Sequence, residues 1–312
     1  MKRTIILVGF GQMGKAVLPL LHTSHWDILG FADNDPGKWT KDLPDGTHRI
    51  ISVEKAVACR SDVMLLCPIS RARAADLKQQ LLDLGYDGRI CLLTDFYEAI
   101  DIRGASIQKM AERIQHHCIP GAIAELGVYQ GEFSVLLSLL FPERTLYLFD
   151  TFSGFDSRDT ALEQSQNLSC AKEGDFSDTS AETVLARIPY PENTVIKKGF
   201  FPDTAEDLRR ERFALVSLDA DLYAPTRAGL DYFYPRLNPG GVIILHDYNN
   251  QRFQGVYRAV EEYEVLHGPL CLIPLADLHG SCMILKPFPH QKSQLPRPEK
   301  SVSAYDDGKL CL

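Results

Sequence analysis

Apolar residues along this chain follow two rhythms. Short continuous apolar runs recur, bounded by glycine, proline or an acid, as strands buried on both faces of a parallel sheet require. Between them, apolar positions fall three and four residues apart, the spacing of a helix with one buried face. In the first hundred residues the runs are "TIILVGF", "WDILGFADND", "DVMLLCP" and "RICLLTD". Helical spacing holds over 12–22 and over "RARAADLKQQLLDLGY", which stops at Gly85, a residue suited to closing a helix. This alternation predicts a doubly wound α/β unit over 1–104. A helical connector is predicted over 105–119, carrying "SIQKMAERIQHHCI", and Pro120 and Gly121 end it.

A second series then begins. Its predicted strands are "AIAELGV", "TLYLFD", "NTVIKK", "FALVSLDAD" and "GVIILHD", and "YRAVEEYEVL" reads as an amphipathic helix. The runs "GPLCLIPL" and "GSCMILKP" lie too close together for a helical crossover. They predict an antiparallel pair closing the second sheet, over a domain spanning 120–288. From Pro289 to 312 no apolar period remains, and a disordered tail is expected.

Composition narrows the partners more than the fold. The 312 residues are 45% hydrophobic and 24% charged, with a net charge of −8. Such an acidic chain is a poor match for a nucleic-acid surface. No run of eighteen apolar residues predicts a membrane span. The opening "MKRTIILVGFGQMG" lacks a small-residue cleavage site and reads as a first strand rather than a signal peptide. Eight cysteines, at 59, 67, 91, 118, 170, 271, 282 and 311, form no C-x-x-C pair. Free thiols in a reducing cytoplasm are expected.

Two glycine loops carry candidate chemistry. Gly9, Gly11 and Gly14 fit G-x-G-x-x-G between a strand and a helix, and Asp33 ends the next strand at the distance of a ribose contact. This allows NAD or a nucleotide sugar at the first domain, or a glycine turn kept only for packing. "GFGQMGKAV" and "GFADNDPGKW" resemble the N-terminal nucleotide-binding modules of polysaccharide-biosynthesis enzymes. A short-chain dehydrogenase would add a Tyr-x-x-x-Lys pair, and Tyr305 with Lys309, in the tail, is the one match.

The second loop, "AELGVYQGEFS", is flanked by acids instead of a phosphate anchor. Glu125 ends one strand, Gly127 and Gly131 allow close backbone approach, and Asp150 ends the next strand, placed to accept ribose hydroxyls. Such a loop suits a cationic, phosphate-free nucleoside such as S-adenosylmethionine. "ELGVYQGEFS", "LFDTFSGF", "DFSDTS", "KKGFFPDT", "LVSLDADLYAPT" and "PGGVIILHDY", in this order, resemble the macrocin O-methyltransferase (TylF-like) family over about 118–268. The resemblance implies a class I methyltransferase fold, S-adenosylmethionine as donor, often a divalent cation, and a sugar hydroxyl as acceptor. It implies donor-binding roles for Glu125, Gly127, Gly131 and Asp150. Many relatives assemble, so a homo-oligomer is an expectation.

Asp219 and Asp247 end two further strands, and strand ends of a doubly wound sheet open onto one crevice. Two carboxylates there suit Mg²⁺, and Asp221 is placed to join them. Some metal-dependent relatives carry two acids where this chain has His246 before Asp247. Imidazole suits a softer metal, could be a general base, or could simply hydrogen-bond the backbone. Asp175 and Asp178 could reach the adenine or cover the site. Tyr223 and Tyr248 could line the acceptor site, and His116 and His117 could border it or lie at the surface. The reading is therefore an O-methyltransferase acting on a sugar-containing acceptor. Its alternatives are an NAD-dependent sugar oxidoreductase or epimerase, and a non-catalytic nucleotide-binding scaffold.

Overall fold

The runs of apolar residues become strands because they can be covered on both faces. The computed structural model describes residues 2–21, 24–39, 49–68 and 70–289. The expected tail and the Tyr305–Lys309 pair fall outside those residues. In the first half, β1 (Arg3–Val8), β2 (Trp26–Ala32), β3 (Ile50–Ile51), β4 (Val63–Leu66) and β5 (Arg89–Leu92) form one sheet in the order β3-β2-β1-β4-β5. Every pairing in it is parallel. The helices are α1 (Gln12–Val17), α2 (Val53–Ala58), α3 (Arg71–Asp83) and α4 (Leu93–Ala99). Helix α3 ends where the sequence indicates, with Gly85 at φ +78°.

The connector is α5 (Ile102–His116), which starts three residues before the predicted 105 because the Asp101 side chain accepts the Gly104 N–H at 2.8 Å and caps it. The second sheet contains β6 (Ala122–Leu126), β7 (Leu146–Asp150), β8 (Thr194–Lys198), β9 (Phe213–Leu218), β10 (Leu237–Leu245), β11 (Cys271–Pro274) and β12 (Cys282–Leu285). Their order is β11-β12-β10-β9-β6-β7-β8. Strand β12 is antiparallel to β10 and to β11, as the close spacing of the last two runs predicts. Helices α6 (Glu132–Leu140), α7 (Ser157–Ser165), α8 (Ala181–Arg187), α9 (Tyr223–Arg236) and α10 (Gln254–His267) accompany it.

The second sheet is buried on both sides. Phe149, Phe213, Phe233 and Ile243 pack in one cluster, and Ile123, Leu148, Leu215 and Ile244 pack on the other face with Ile107 and Ile114 of α5. The two halves also touch directly. Leu278, between β11 and β12, packs into the cluster of Ile5, Leu7 and Leu65 from the first sheet. Among the described residues no helix is long and apolar enough to cross a membrane.

Candidate active site

The order of the second sheet reverses direction between β6 and β9, and the crevice opens there. Gly127 leaves β6 at φ +86°, and a Cβ on it would sit 1.9 Å from the Asp219 carbonyl oxygen. Only glycine lets the two strand ends approach so closely. The loop then runs to Gly131, the N-cap of α6 at φ +78°. Asp150 holds this loop in shape. One carboxylate oxygen accepts the N–H groups of Val128 and Tyr129 at 2.7 and 3.0 Å, and the other accepts that of Phe152 at 2.7 Å. Glu125 is 1% exposed and accepts the Ser134 hydroxyl. Burial pushes its carboxyl up to about 8, against the opposing pull of that hydrogen bond. A cavity of about 410 Å³ lies over these residues, lined also by Phe155, Phe176, Asp219 and His246.

Next to this cavity the ends of β9 and β10 bring four ionisable groups together. Leu218 and Leu245 pair in register, so Asp219 and His246 leave the sheet side by side. His246 Nδ1 lies 2.9 Å from Asp219 Oδ1 and 2.8 Å from Asp247 Oδ2. Arg103, on α5, donates to Asp219 Oδ2 at 2.7 Å. Asp221 and Asp247 sit at φ +58° and +59°, a left-handed backbone that aspartate tolerates better than most residues and that is concentrated at functional sites.

The charges in this cluster are unevenly held. Burial alone would keep His246 neutral, but Asp219 and Asp247 outweigh it and raise the ring to about 10. Burial opposes ionisation of Asp219 as well, yet His246 and Arg103 hold its carboxyl well below the usual range. Asp221 goes the other way: burial and the neighbouring charges of Asp219 and Asp247 raise it, so its proton is shared toward Asp247. Ligand atoms of Asp219, Asp221, His246 and Asp247 lie within 4.8 Å of one another, and those of His246, Asp247 and His279 form a second such group. Three carboxylates crowded so that one keeps its proton are a donor set that suits a divalent cation.

Residues 101–282 match the macrocin O-methyltransferase (TylF) family. The chain belongs to this family. It is 30% identical to mycinamicin III 3''-O-methyltransferase of Micromonospora griseorubida over 175 residues, covering 52% of this chain and 68% of that protein. It is 25% identical over 190 residues to 8-demethyl-8-(2,3-dimethoxy-alpha-L-rhamnosyl)-tetracenomycin-C 4'-O-methyltransferase of Streptomyces olivaceus, covering 56% of this chain and 69% of that protein. Among solved structures it resembles the O-methyltransferase NovP, with a TM-score of 0.49 and 21% identity over 60% of this chain and 80% of that one. As a macrocin-family protein the chain is an S-adenosylmethionine-dependent O-methyltransferase. The first hundred residues lie outside the family match.

The glycine turn in those residues is built for close packing. A Cβ on Gly14 would meet the Gly9 carbonyl oxygen at 2.9 Å, whereas Gly11 faces open space. Asp33 is committed within its own turn: Oδ2 pairs with Lys38 Nζ at 2.8 Å and Oδ1 accepts the Asp35 N–H at 2.9 Å. Gln12, inside the turn, donates to Asn250 Oδ1 at 2.5 Å, and the Asn250 amide donates to Asp247. The first glycine turn therefore reaches the acid cluster of the methyltransferase half.

Other sequence candidates face elsewhere. Tyr223 donates its hydroxyl to Glu262 of α10 at 2.5 Å, and the Tyr248 ring packs on Tyr257 at 5.3 Å. His116 and His117 meet edge to face, exposed, at the far end of α5. Asp178 accepts the Tyr129 hydroxyl at 2.9 Å and so ties the glycine loop to the segment carrying Phe176, while Asp175 accepts the Lys172 N–H. Sequence reasoning missed Arg103, His279 and Asn250. Of these only Asn250, three residues past Asp247, had a local signal. Arg103 comes from the connector and His279 from the turn between β11 and β12.

Proposed function

We propose that this enzyme methylates a hydroxyl of a sugar or glycosylated small molecule, with Glu125, Gly127, Gly131 and Asp150 forming the donor pocket and Asp219, His246 and Asp247 acting on the acceptor. The observation that carries this is the four-group cluster beside the donor cavity, in a family in which the relatives similar in sequence carry sugar O-methyltransferase names. The donor supplies a methyl group on a positively charged sulfur. Glu125 and Asp150 place negative charge and hydrogen-bond acceptors beside it. Phe155 and Phe176 wall the cavity against water. An alcohol is a weak nucleophile, so the remaining residues must align it and help remove its proton.

Asp219, Asp247 and His246, with Asp221, would hold a divalent cation, and such an ion when bound would acidify the acceptor hydroxyl. The imidazole favours a softer ion than Mg²⁺. Arg103 fixes the rotamer of Asp219 and balances its charge. In the first half, the ion pair of Asp33 with Lys38 and the engagement of Gln12 with Asn250 support a structural reading of the Gly9–Gly11–Gly14 turn over binding of NAD or a nucleotide sugar. We propose residues 1–104 as an accessory domain, 105–119 as the connector and 120–288 as the methyltransferase domain.

The test is calorimetric titration of the purified protein with S-adenosylmethionine, then methyl transfer to a panel of glycosides with and without EDTA and re-added Mn²⁺, Zn²⁺ or Mg²⁺. Donor binding, with transfer that EDTA removes and a metal restores, is expected. Absence of donor binding would sink the proposal.

A further inference from the structure

The first sheet is covered unevenly. On one face Ile6, Val8, Met64 and Leu66 are buried against Val53 and Ala56 of α2 and Leu81 of α3. On the other face α1 and the turn Leu18–Leu20 cover the β1–β2 side. Beyond β5 comes only the seven-residue α4, which leads into the connector. Ile5, Val63, Leu65 and Cys91 consequently border a cavity of about 760 Å³, lined from the methyltransferase half by Phe133, Leu136 and Leu278. Parallel sheets ordinarily have both faces packed. Ile5, Val63 and Leu65 are themselves only 3–5% exposed, but Leu20, Phe96 and Ile100 around the cavity are 37–61% exposed, and apolar surface left in water forgoes burial that an apolar ligand would restore.

One end of this cavity is polar. Asp277 lines it and is 9% exposed. Its Oδ1 accepts the N–H groups of Gly280 and Ser281 at 2.7 and 2.8 Å, while its Oδ2 is buried with no hydrogen-bond partner. A buried carboxylate oxygen without a donor is costly, and a ligand hydroxyl would satisfy it. Arg103, Glu132, Phe133, His246 and His279 line both this cavity and the donor cavity. The two spaces thus meet at the acid cluster. Their junction is where an acceptor oxygen must lie to receive a methyl group.

We infer that the cleft between the two sheets binds the acceptor, its sugar hydrogen-bonded by Asp277 at the polar end and an apolar aglycone spread over the apolar wall that Leu20, Phe96 and Ile100 of the first half present. This rests on the methyltransferase reading and gives the first half a role that needs no nucleotide at its glycine turn. The volume falls within the range of about 300–1,000 Å³ that suits drug-sized ligands, more than a bare sugar ring fills. The aglycone is held by packing alone, so its shape is read loosely. The sugar is read through Asp277 and therefore strictly.

The experiment uses the full-length protein with S-adenosylhomocysteine saturating the donor pocket. N-phenyl-1-naphthylamine, a neutral apolar fluorophore, probes the apolar wall, and 2-naphthyl and methyl glycosides of the same hexoses compete with it. One probe molecule is expected to bind, to be displaced by naphthyl glycosides and to be ignored by methyl glycosides. Cys91→Trp fills the cavity from the sheet and Leu136→Trp from the opposite wall. Each should weaken probe binding about tenfold or more with affinity for S-adenosylmethionine unchanged. Leu82→Trp, on the exposed side of α3, should match the wild type. Asp277→Asn keeps the oxygen that caps the turn. It should weaken naphthyl glycosides about tenfold and leave the fluorophore unaffected. Normal donor affinity with unchanged probe and glycoside binding in both filling variants overturns the inference and leaves the methyltransferase reading standing. A wild type that cannot bind the donor removes the reading itself.

Discussion

His246 is a cation between two anions. With its ring held at about 10 by Asp219 and Asp247 against the effect of burial, it cannot take a proton from an acceptor at neutral pH as the cluster stands. It contributes position and charge, and its proton would be displaced to solvent by a metal bound at the ring nitrogen. His246→Ala should lower kcat by about 100-fold or more and shift the S-adenosylmethionine Kd less than about threefold; steady-state kinetics with calorimetry checks both, and unchanged turnover removes the residue from the mechanism. Glu125 predicts a pH effect of definite sign. Its carboxyl, raised to about 8 by burial, is protonated at pH 7 before the donor arrives. A positive sulfur nearby favours the ionised form, so binding releases a proton below pH 8. Affinity should therefore climb from pH 6 to 8, by up to about tenfold per unit, and level off above. Calorimetry in buffers of different ionisation enthalpy reads the released proton, and Glu125→Gln should abolish it. Asp219 and Asp247 were legible in the sequence because an acid at the end of a buried parallel strand has only the crevice to face. Arg103 and His279 were not, because what brings them there is the docking of a helix and a turn, which no local pattern records.

Among the elements, the loop between β6 and α6 is the most exacting. Its shape depends on backbone N–H groups aimed at Asp150 and on Gly127 passing against the Asp219 carbonyl. Gly127→Ala puts a methyl group where an oxygen lies, at a positive φ as well. The expected loss is about 2–4 kcal/mol of stability, read by urea unfolding, together with loss of donor binding. A variant that unfolds normally and binds the donor would contradict that close approach. The central strands were plain from their apolar runs, since β4, β6 and β9 are buried along their whole length, while the edge strands β8 and β11 are partly exposed. Short pieces such as β3, two residues long, and α7 and α8 in the segment after β7 were not foreseen, because packing rather than periodicity defines them. The direction of Tyr223 was likewise hidden. It follows an acidic motif, yet the first turn of α9 points it at Glu262.

At the scale of the whole molecule, the question is whether the first half does more than sit beside the second. The path Gln12–Asn250–Asp247 answers in structural terms: the first glycine turn holds the amide that holds a carboxylate of the cluster. Asn250 Oδ1 also accepts the Arg252 N–H at 2.9 Å, so its own loop orients it in part. Losing Gln12 should therefore loosen Asp247 rather than release it. Gln12→Ala is expected to lower kcat about three- to tenfold, the worth of one hydrogen bond of about 0.5–1.5 kcal/mol, with donor affinity unchanged. Asn250→Ala should cost more, because it frees Asp247 directly. The double variant distinguishes a linked path from two separate defects. If Gln12 acts through Asn250, removing both should cost no more than removing Asn250 alone, a coupling that a double-mutant cycle measures directly. If the two losses simply add, Gln12 acts on the site by a route other than Asn250, and if Gln12→Ala costs nothing, the contact between the halves is packing without consequence for the chemistry.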